Sequence, residues 1–262
     1  MTTTVTIANQ KGGVGKTTTV VNLAHALALM GKEILVIDLD PQGQAATFLG
    51  MEQSAGAFYL LSTCIDPAAN PLMVLRQQTR SSGRERLYLI PGNPLTNMAQ
   101  TMLNASNAPV SVIRRILLPF ISNGKPDYVL IDTAPSVGGI QERAMWAADL
   151  LIVPTLPDSS SLEGVRYIVE VVTELKKKDW GGKLLGILPT QYEERTRESR
   201  ASIDDLKKTF RGLVLPPISD RTILRDARSR GQTIFEYDSE SQSAKEYMTL
   251  AELVRKETYR GR

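Results

Sequence analysis

The sequence predicts one α/β domain, residues 1–262, in which helices flank a doubly wound, mostly parallel β-sheet. Short apolar runs alternate along the chain with longer segments of helical periodicity, which is the pattern of successive βαβ units. Each run is nearly uninterrupted, as expected for parallel strands that helices cover on both faces. No long linker, internal repeat or low-complexity tract breaks the alternation.

Six strands and two helices stand out. The predicted strands are Val5–Ala8, Ile34–Ile37, Leu87–Ile90, Tyr128–Ile131, Leu150–Val153 and Leu184–Leu188. A first helix is predicted over Thr17–Met30, because Leu23 and Leu27 share a face and Gly31 follows as a stop signal. A last helix is predicted over Ala244–Lys256. We expect it to pack on the core, because the basic tail after it lacks the bulky apolar residues of a membrane anchor.

The segments between the strands include two predicted surface loops, Ser81–Gly83 and Asn104–Pro109.

The composition excludes disulfide-stabilised proteins and proteins that span a membrane. With 42% apolar and 23% charged residues the chain is typical of soluble proteins, and its single cysteine, Cys64, excludes an intramolecular disulfide. The first residues lack the positively charged region and long apolar run of a signal peptide, so we expect none, and no apolar stretch reaches the roughly 18 residues of a membrane span. We therefore expect a cytoplasmic protein.

The stretch Asn9–Thr19, NQKGGVGKTTT, predicts a phosphate-binding loop between the first strand and the first helix. Glycines let backbone N–H groups converge on phosphates, and the helix N-terminus adds its positive end. Lys16 is expected to reach the β- and γ-phosphates, and the Thr17 hydroxyl to bind Mg²⁺. The residues predicted to surround the nucleotide phosphates are Gly12, Gly13, Val14, Gly15, Lys16, Thr17 and Thr18.

Two residues depart from the usual loop pattern, G-x-x-x-x-G-K-[ST]. Gln10 stands where the first glycine is expected, and Lys11 is an additional lysine that the pattern does not require. The residues alone leave two interpretations open, a damaged loop and a loop with an additional role.

Three aspartates follow predicted strands at the carboxyl edge of the sheet, where doubly wound folds bind ligands. Asp38 and Asp40 are two residues apart, so their side chains share one side if the strand continues that far. Asp40 is predicted to orient the attacking water, and Asp38 to act nearer the magnesium shell. Asp132 is predicted to bind Mg²⁺ through water. Thr17, Asp40 and Asp132 thus form the predicted magnesium site.

The sequence resembles the ParA/MinD group of deviant Walker ATPases in four stretches, KGGVGKTTT, DLDPQGQAATFLG, IDTAPS and VPTLPDSSSLEGV. Asn9–Gly13 and Asp38–Gly43 are most similar to the ParA branch, which partitions chromosomes and plasmids. The resemblance covers nearly the whole chain. It implies a P-loop NTPase that binds ATP and Mg²⁺ and hydrolyses ATP slowly. It also implies the small type of ParA, without an N-terminal helix-turn-helix.

In that family the additional lysine, here Lys11, reaches the phosphates of a second subunit. A cation delivered by a partner stabilises the transition state as an arginine finger does. The resemblance therefore implies an ATP-bound homodimer with Lys11, Lys16 and Asp40 as catalytic residues, and makes Gln10 part of the family's own loop. It further implies that a ParB-like centromere-binding protein stimulates hydrolysis.

The basic surplus lies in one segment. Residues 195–230 contain ten Lys or Arg and five Asp or Glu, a net charge of +5, whereas the rest of the chain sums to −2. Since family members carry DNA-contacting arginines in this third, the resemblance implies sequence-independent, salt-dependent DNA binding. A solvated, salt-bridged surface is the alternative. The candidate DNA-binding residues are Arg195, Arg197, Arg221, Arg225, Arg228 and Arg230.

The stretch LPPISDRTILRDARSRG departs from the family's P-R-N-V-R-L-S-E-A and places Ile223 where an arginine is expected. The choice among the surrounding arginines therefore stays open, as does the adenine contact expected near Pro216. The resemblance implies a chromosome or plasmid partition ATPase on the nucleoid, and we expect no stable membrane association. The alternatives are a ParA-like protein that positions a non-DNA cargo and a MinD-like membrane regulator of division.

Overall fold

The computed structural model describes residues 2–66, 68–122, 125–135, 139–158, 161–219 and 222–260. Within them the strands are β1 (Thr3–Ile7), β2 (Ile34–Asp38), β3 (Arg80–Ser81), β4 (Leu87–Ile90), β5 (Tyr128–Asp132), β6 (Leu150–Thr155) and β7 (Lys183–Pro189). They form one sheet in the order β3-β4-β2-β5-β1-β6-β7. All neighbours are parallel except β3 and β4. The predicted fold class is confirmed.

The described helices lie between and after these strands. They are α1 (Lys16–Leu29), α2 (Gln44–Phe48), α3 (Gly56–Ser62), α4 (Pro71–Gln78), α5 (Thr96–Ala105), α6 (Val112–Ile121), α7 (Gly139–Ala147), α8 (Ser161–Lys177), α9 (Arg197–Thr209), α10 (Thr222–Ser229), α11 (Ile234–Tyr237) and α12 (Gln242–Arg260). The predicted first and last helices are confirmed as α1 and α12, with the last one longer at both ends.

Alternate residues of the central strands enter opposite core layers, as the twofold side-chain period of a strand requires. In β5, Leu130 packs in the layer that contains residues of α1 and α12, whereas Val129 and Ile131 pack in the layer that contains residues of α3, α6 and α7. Tyr247 of α12 is 1% exposed, which confirms that this helix packs on the core. In the described part of the chain, no helix is both long and apolar enough to cross a membrane.

The structure corrects two loop predictions. Ser81 belongs to β3, a two-residue edge strand antiparallel to β4, and α5 continues through Asn104 to Ala105. Both residues of β3 are exposed, so backbone pairing alone, without an apolar pattern, defines this strand. The sequence therefore carried no hydrophobic signal for it.

The sheet brings distant segments to one edge. Ile7, the last residue of β1, pairs with Asp132 at the end of β5, and Asp38 at the end of β2 pairs with Asp132 from the other side. Because parallel strands end at the same edge, the loop after β1 and two of the predicted aspartates become neighbours there.

Candidate nucleotide-binding site

The phosphate loop connects β1 to α1. Gly13 and Gly15 have φ angles of 73° and 78°, in the left-handed region that favours glycine. Thr190 and Gln191, which follow β7, hold this turn. Oγ1 of Thr190 donates to the carbonyl of Val14 at 2.9 Å, and Nε2 of Gln191 donates to the carbonyl of Gly13 at 2.8 Å. The segment after β7 thus fixes the loop through two of its carbonyl groups, while the loop N–H groups stay at the start of α1.

Lys16 begins α1 and is 6% exposed. Its Nζ donates to the backbone carbonyl of Lys11 at 3.0 Å, so the side chain folds back over the loop. Burial lowers the pKa of Lys16, and the carboxylates of Asp132 and Asp40 oppose that shift. The ammonium therefore lies in a partly desolvated position where a phosphate oxygen would replace a carbonyl as its acceptor.

Thr17 and Asp132 are in direct contact. Oγ1 of Thr17 donates to Oδ2 of Asp132 at 2.6 Å, and Asp132 is fully buried. Burial raises the pKa of Asp132 to about 7 against the opposing hydrogen bond from Thr17, and the nearby Asp40 carboxylate also raises it. A cation placed beside such a carboxyl group would favour its charged form and so lower its pKa.

Asp38 and Asp40 have different surroundings. β2 ends at Asp38, so the strand alternation predicted for the pair does not extend to Asp40. The buried Asp38 carboxylate accepts the N–H groups of Asp40 and Ala45, each at 3.0 Å, and burial raises its pKa well above the usual range. Asp40 accepts the N–H of Gln42 at 2.9 Å. Asp38 therefore braces the turn that presents Asp40.

Two cavities meet at the loop. The phosphate-side cavity measures about 230 Å³ and is lined by loop residues, Asp40 and Gln42. The loop residues that line it are Gly12, Gly13, Gly15, Lys16, Thr17 and Thr18, whereas Val14 is buried behind the loop. The base-side cavity measures about 200 Å³, and Ile218, Leu224 and Tyr247 are among its lining residues. A polar cavity beside a more apolar one suits a nucleotide.

Comparison with known proteins shows the family. Residues 2–183 match the family model described as an AAA domain. The chain is 33% identical over 253 residues to the sporulation initiation inhibitor protein Soj of Bacillus subtilis, covering 95% of this chain and 97% of Soj. It is 31% identical over 260 residues to the chromosome partitioning protein ParA of Myxococcus xanthus, covering 97% and 88%. This chain belongs to the ParA family.

Solved structures resemble this ParA-family chain over nearly its whole length. An ATP complex of a Cyanothece McdA variant has a TM-score of 0.84 at 26% identity, covering 97% of this chain and 96% of McdA. Cobyrinic acid a,c-diamide synthase from Mycobacterium smegmatis, with bound ADP and magnesium, has a TM-score of 0.80 at 28% identity, covering 100% and 97%. Nucleotide binding is thus common to these structural neighbours, and magnesium accompanies it in the second.

The magnesium residues predicted for this ParA-family member are all oxygen donors. Thr17 and Asp132 are in contact, and Asp40 and Thr17 line the same cavity. Mg²⁺ uses one or two carboxylates together with waters and substrate phosphates, so these residues fit it. Over the described ranges, no cluster of three His, Cys, Asp or Glu forms an all-protein metal cage.

Lys11 is placed differently from Lys16. Its N–H donates to Oδ1 of Asn9 at 3.0 Å, and its Nζ lies 2.6 Å from Oδ2 of Asp158. Lys11 is not among the described residues that line the phosphate-side cavity. Its ammonium therefore lies outside the phosphate cavity of its own chain.

The predicted DNA-binding arginines occupy separate places. Arg195 lies in the segment before α9, and Arg197 is the first residue of that helix. Both are exposed. Arg221 lies outside the described residues. The surface before and at the start of α9 is thus open to solvent at both described positions.

The remaining arginines belong to α10 or follow it. Arg225 and Arg228 line the base-side cavity, although the sequence predicts DNA contacts for them. Arg230 stacks on Tyr237, with 5.2 Å between the guanidinium carbon and the ring centroid. α10 therefore places two of the basic residues of segment 195–230, Arg225 and Arg228, at the nucleotide cavities.

Sequence reasoning missed part of the base-side cavity. Pro216, predicted near the adenine, is exposed, and the described lining residues include Ile218 and Ser219 but not Pro216. Gln191 follows a parallel strand, so the rule that ligands bind at carboxyl strand ends would have found it. Tyr247 carried no such signal, because only tertiary packing brings α12 to the loop.

Proposed function

We propose that this protein is an ATPase for chromosome or plasmid partition that binds DNA as an ATP-bound dimer and leaves it after hydrolysis. The observation that carries the proposal is the separation of the two loop lysines. Lys16 lines the phosphate cavity of its own chain, whereas the ammonium of Lys11 lies outside it, paired with Asp158. A second copy is the natural recipient of Lys11.

Within one chain, Lys16 and the loop N–H groups would hold the β- and γ-phosphates. Thr17, Asp132 and Asp40 would hold Mg²⁺, which would neutralise charge on the phosphates. The Asp40 carboxylate would orient the attacking water. This arrangement is supported by the common cavity that Lys16, Thr17 and Asp40 line.

Dimerisation would bring the Lys11 ammonium of one subunit to the nucleotide of the other. ATP favours the dimer only to the extent that the dimer binds ATP more tightly than the monomer does. The contact of Lys11 with the partner's γ-phosphate would supply that difference, and hydrolysis would remove it. Hydrolysis would then limit the lifetime of the dimer, and a ParB-like partner would shorten that lifetime.

DNA binding would use exposed arginines, with Arg195 and Arg197 the best placed of the described candidates. Binding through phosphates lacks base readout and weakens as salt rises. The name of one relative, the chromosome partitioning protein ParA of Myxococcus xanthus, supports DNA as the track. The apolar face of α12 packs in the core, which supports the nucleoid in the cytoplasm over a membrane as the place of action.

The test is a gel shift on DNA of arbitrary sequence with ATP, ADP or no nucleotide, combined with sedimentation analysis of dimerisation. Lys11→Ala should keep ATP binding, because Lys16 remains, but should lose the ATP-dependent dimer and DNA binding. Lys177→Ala is the matched control, since Lys177 is exposed and pairs only on the surface with Glu174. A Lys11→Ala protein that dimerised and bound DNA like the wild type would contradict the proposal.

A further inference from the structure

Arg228 lies at the junction of the two nucleotide cavities. It is exposed near the end of α10 and lines both the phosphate-side and the base-side cavity. The other described residues that line both are Gly15, Thr18 and Gln191. Gly15 precedes α1 and Thr18 lies in its first turn, so Arg228 faces the helix N-terminus across the junction.

The Arg228 guanidinium is positioned by an aromatic ring. Its carbon lies 5.1 Å from the ring centroid of Phe48 at the end of α2, and Phe48 is 8% exposed. A guanidinium stacked on a ring is fixed in orientation but keeps its N–H donors available in the plane. In the described part of the chain, no carboxylate forms an ion pair with Arg228.

A nucleoside triphosphate that occupies both cavities must cross this junction. Its base and ribose would lie beside Ile218 and Tyr247, and its terminal phosphates beside Lys16 and Asp40. The α-phosphate links these two parts of the molecule, so it falls where the cavities meet. There it would face both the N-terminus of α1 and the Arg228 side chain.

We infer that Arg228 binds the α-phosphate of the nucleotide held by its own chain. The inference rests on the proposed position of the nucleotide. Arginine suits this role because its planar fork makes charge-assisted hydrogen bonds to phosphate oxygens. It assigns to nucleotide binding an arginine that the sequence placed among the DNA-binding candidates.

Isothermal titration calorimetry with unlabelled ATP and ADP, in Mg²⁺ and without DNA, tests the inference. Arg228→Ala should weaken the affinity for both nucleotides about tenfold, because both contain the α-phosphate. Arg228→Lys should restore part of that loss, since it keeps the charge but not the fork. Arg76→Ala, which removes an exposed arginine from α4, should leave both affinities unchanged.

Different results separate the inference from the proposed function. Unchanged ATP and ADP affinities in Arg228→Ala would overturn the inference, and so would a loss confined to ATP, which would assign Arg228 to the γ-phosphate. A DNA-binding loss at saturating ATP with normal nucleotide affinity would also overturn it and return Arg228 to the DNA surface. A wild-type protein that bound neither nucleotide would instead contradict the proposed function.

Discussion

Nζ of Lys11 lies 2.6 Å from Oδ2 of Asp158, and the two side chains are 33% and 34% exposed. Lys11 belongs to the loop after β1, and Asp158 follows β6. The pair thus holds, within one chain, the lysine that we propose acts on a second subunit. A partly exposed ion pair contributes about 0–1 kcal/mol, so it positions Lys11 without preventing its release.

Asp158→Asn should favour the ATP-dependent dimer, because Lys11 no longer has to leave an ion pair. The expected gain in dimer affinity is about thirtyfold or less, because each homodimer releases two such pairs of at most about 1 kcal/mol each. Sedimentation equilibrium in the presence of ATP measures it. Glu174→Gln, which breaks the exposed pair with Lys177, is the control. Weaker dimerisation of Asp158→Asn would show that Asp158 is needed inside the dimer.

Asp132→Asn should stabilise the nucleotide-free protein at alkaline pH. The folded-state pKa of Asp132 is about 7 and its unfolded value is about 3.9, so the native state keeps the proton longer. The Asp132 contribution to the free energy of unfolding therefore falls as pH rises between these values, and the cost of the buried charge is complete above pH 7. Asparagine removes that cost and should add about 2–4 kcal/mol at pH 8.

Urea unfolding at pH 5 and pH 8 in chelator checks this prediction for Asp132. The stabilisation should be much smaller at pH 5, where the native carboxyl is protonated. Asp205→Asn is the control, because its side chain is 57% exposed and its substitution should act equally at both pH values. A gain from Asp132→Asn that did not depend on pH would contradict the raised pKa.

Gly92→Ala should disturb the turn that carries Asp40. A Cβ at Gly92 would lie 2.6 Å from the carbonyl oxygen of Asp38 and 2.8 Å from that of Asp40. These backbone atoms must move to make room, at a cost of about 1–3 kcal/mol in the free energy of unfolding. Because the displaced segment presents Asp40 to the cavity, ATPase activity should fall about tenfold or more.

Gly181→Ala is the matched control, because a Cβ there would meet no atom within 4 Å. Steady-state ATP hydrolysis and urea unfolding on both variants separate the two effects. Normal hydrolysis by Gly92→Ala would show that the position of Asp40 tolerates this displacement.

Arg84 joins the end of α2 to the C-terminal helices. Its guanidinium donates to Oε2 of Glu236 at 2.9 and 2.7 Å, to the carbonyl of Leu49 at 2.8 Å and to that of Gly231 at 3.0 Å. The Arg84 side chain is 9% exposed. Arg84→Ala would leave these acceptors without their donor, so we expect a loss of about 2–3 kcal/mol in the free energy of unfolding.

Chemical denaturation of Arg84→Ala beside Lys208→Ala checks this expectation. Lys208 forms an exposed pair with Asp205, and its loss should change stability by about 0.5 kcal/mol or less. Equal stability of the two variants would mean that water replaces the Arg84 donors at no cost.

The sequence by itself predicted the parallel sheet, the loop and the acidic strand ends, because each depends on local pattern. Continuous apolar runs indicate strands that are covered on both faces, and the glycines and Lys16 before a helical segment indicate a phosphate loop. The two-residue β3 escaped prediction, because an exposed pair of residues has no hydrophobic period.

Only the tertiary structure decided how side chains from distant segments meet. The buried contact of Thr17 with Asp132 depends on β1 and β5 being neighbours in the sheet. The placement of Arg228 beside Phe48 depends on α10 packing against α2. Such contacts join residues far apart in sequence through packing, which no local periodicity encodes. The same packing holds Lys11 at Asp158, outside the phosphate cavity that the loop itself forms.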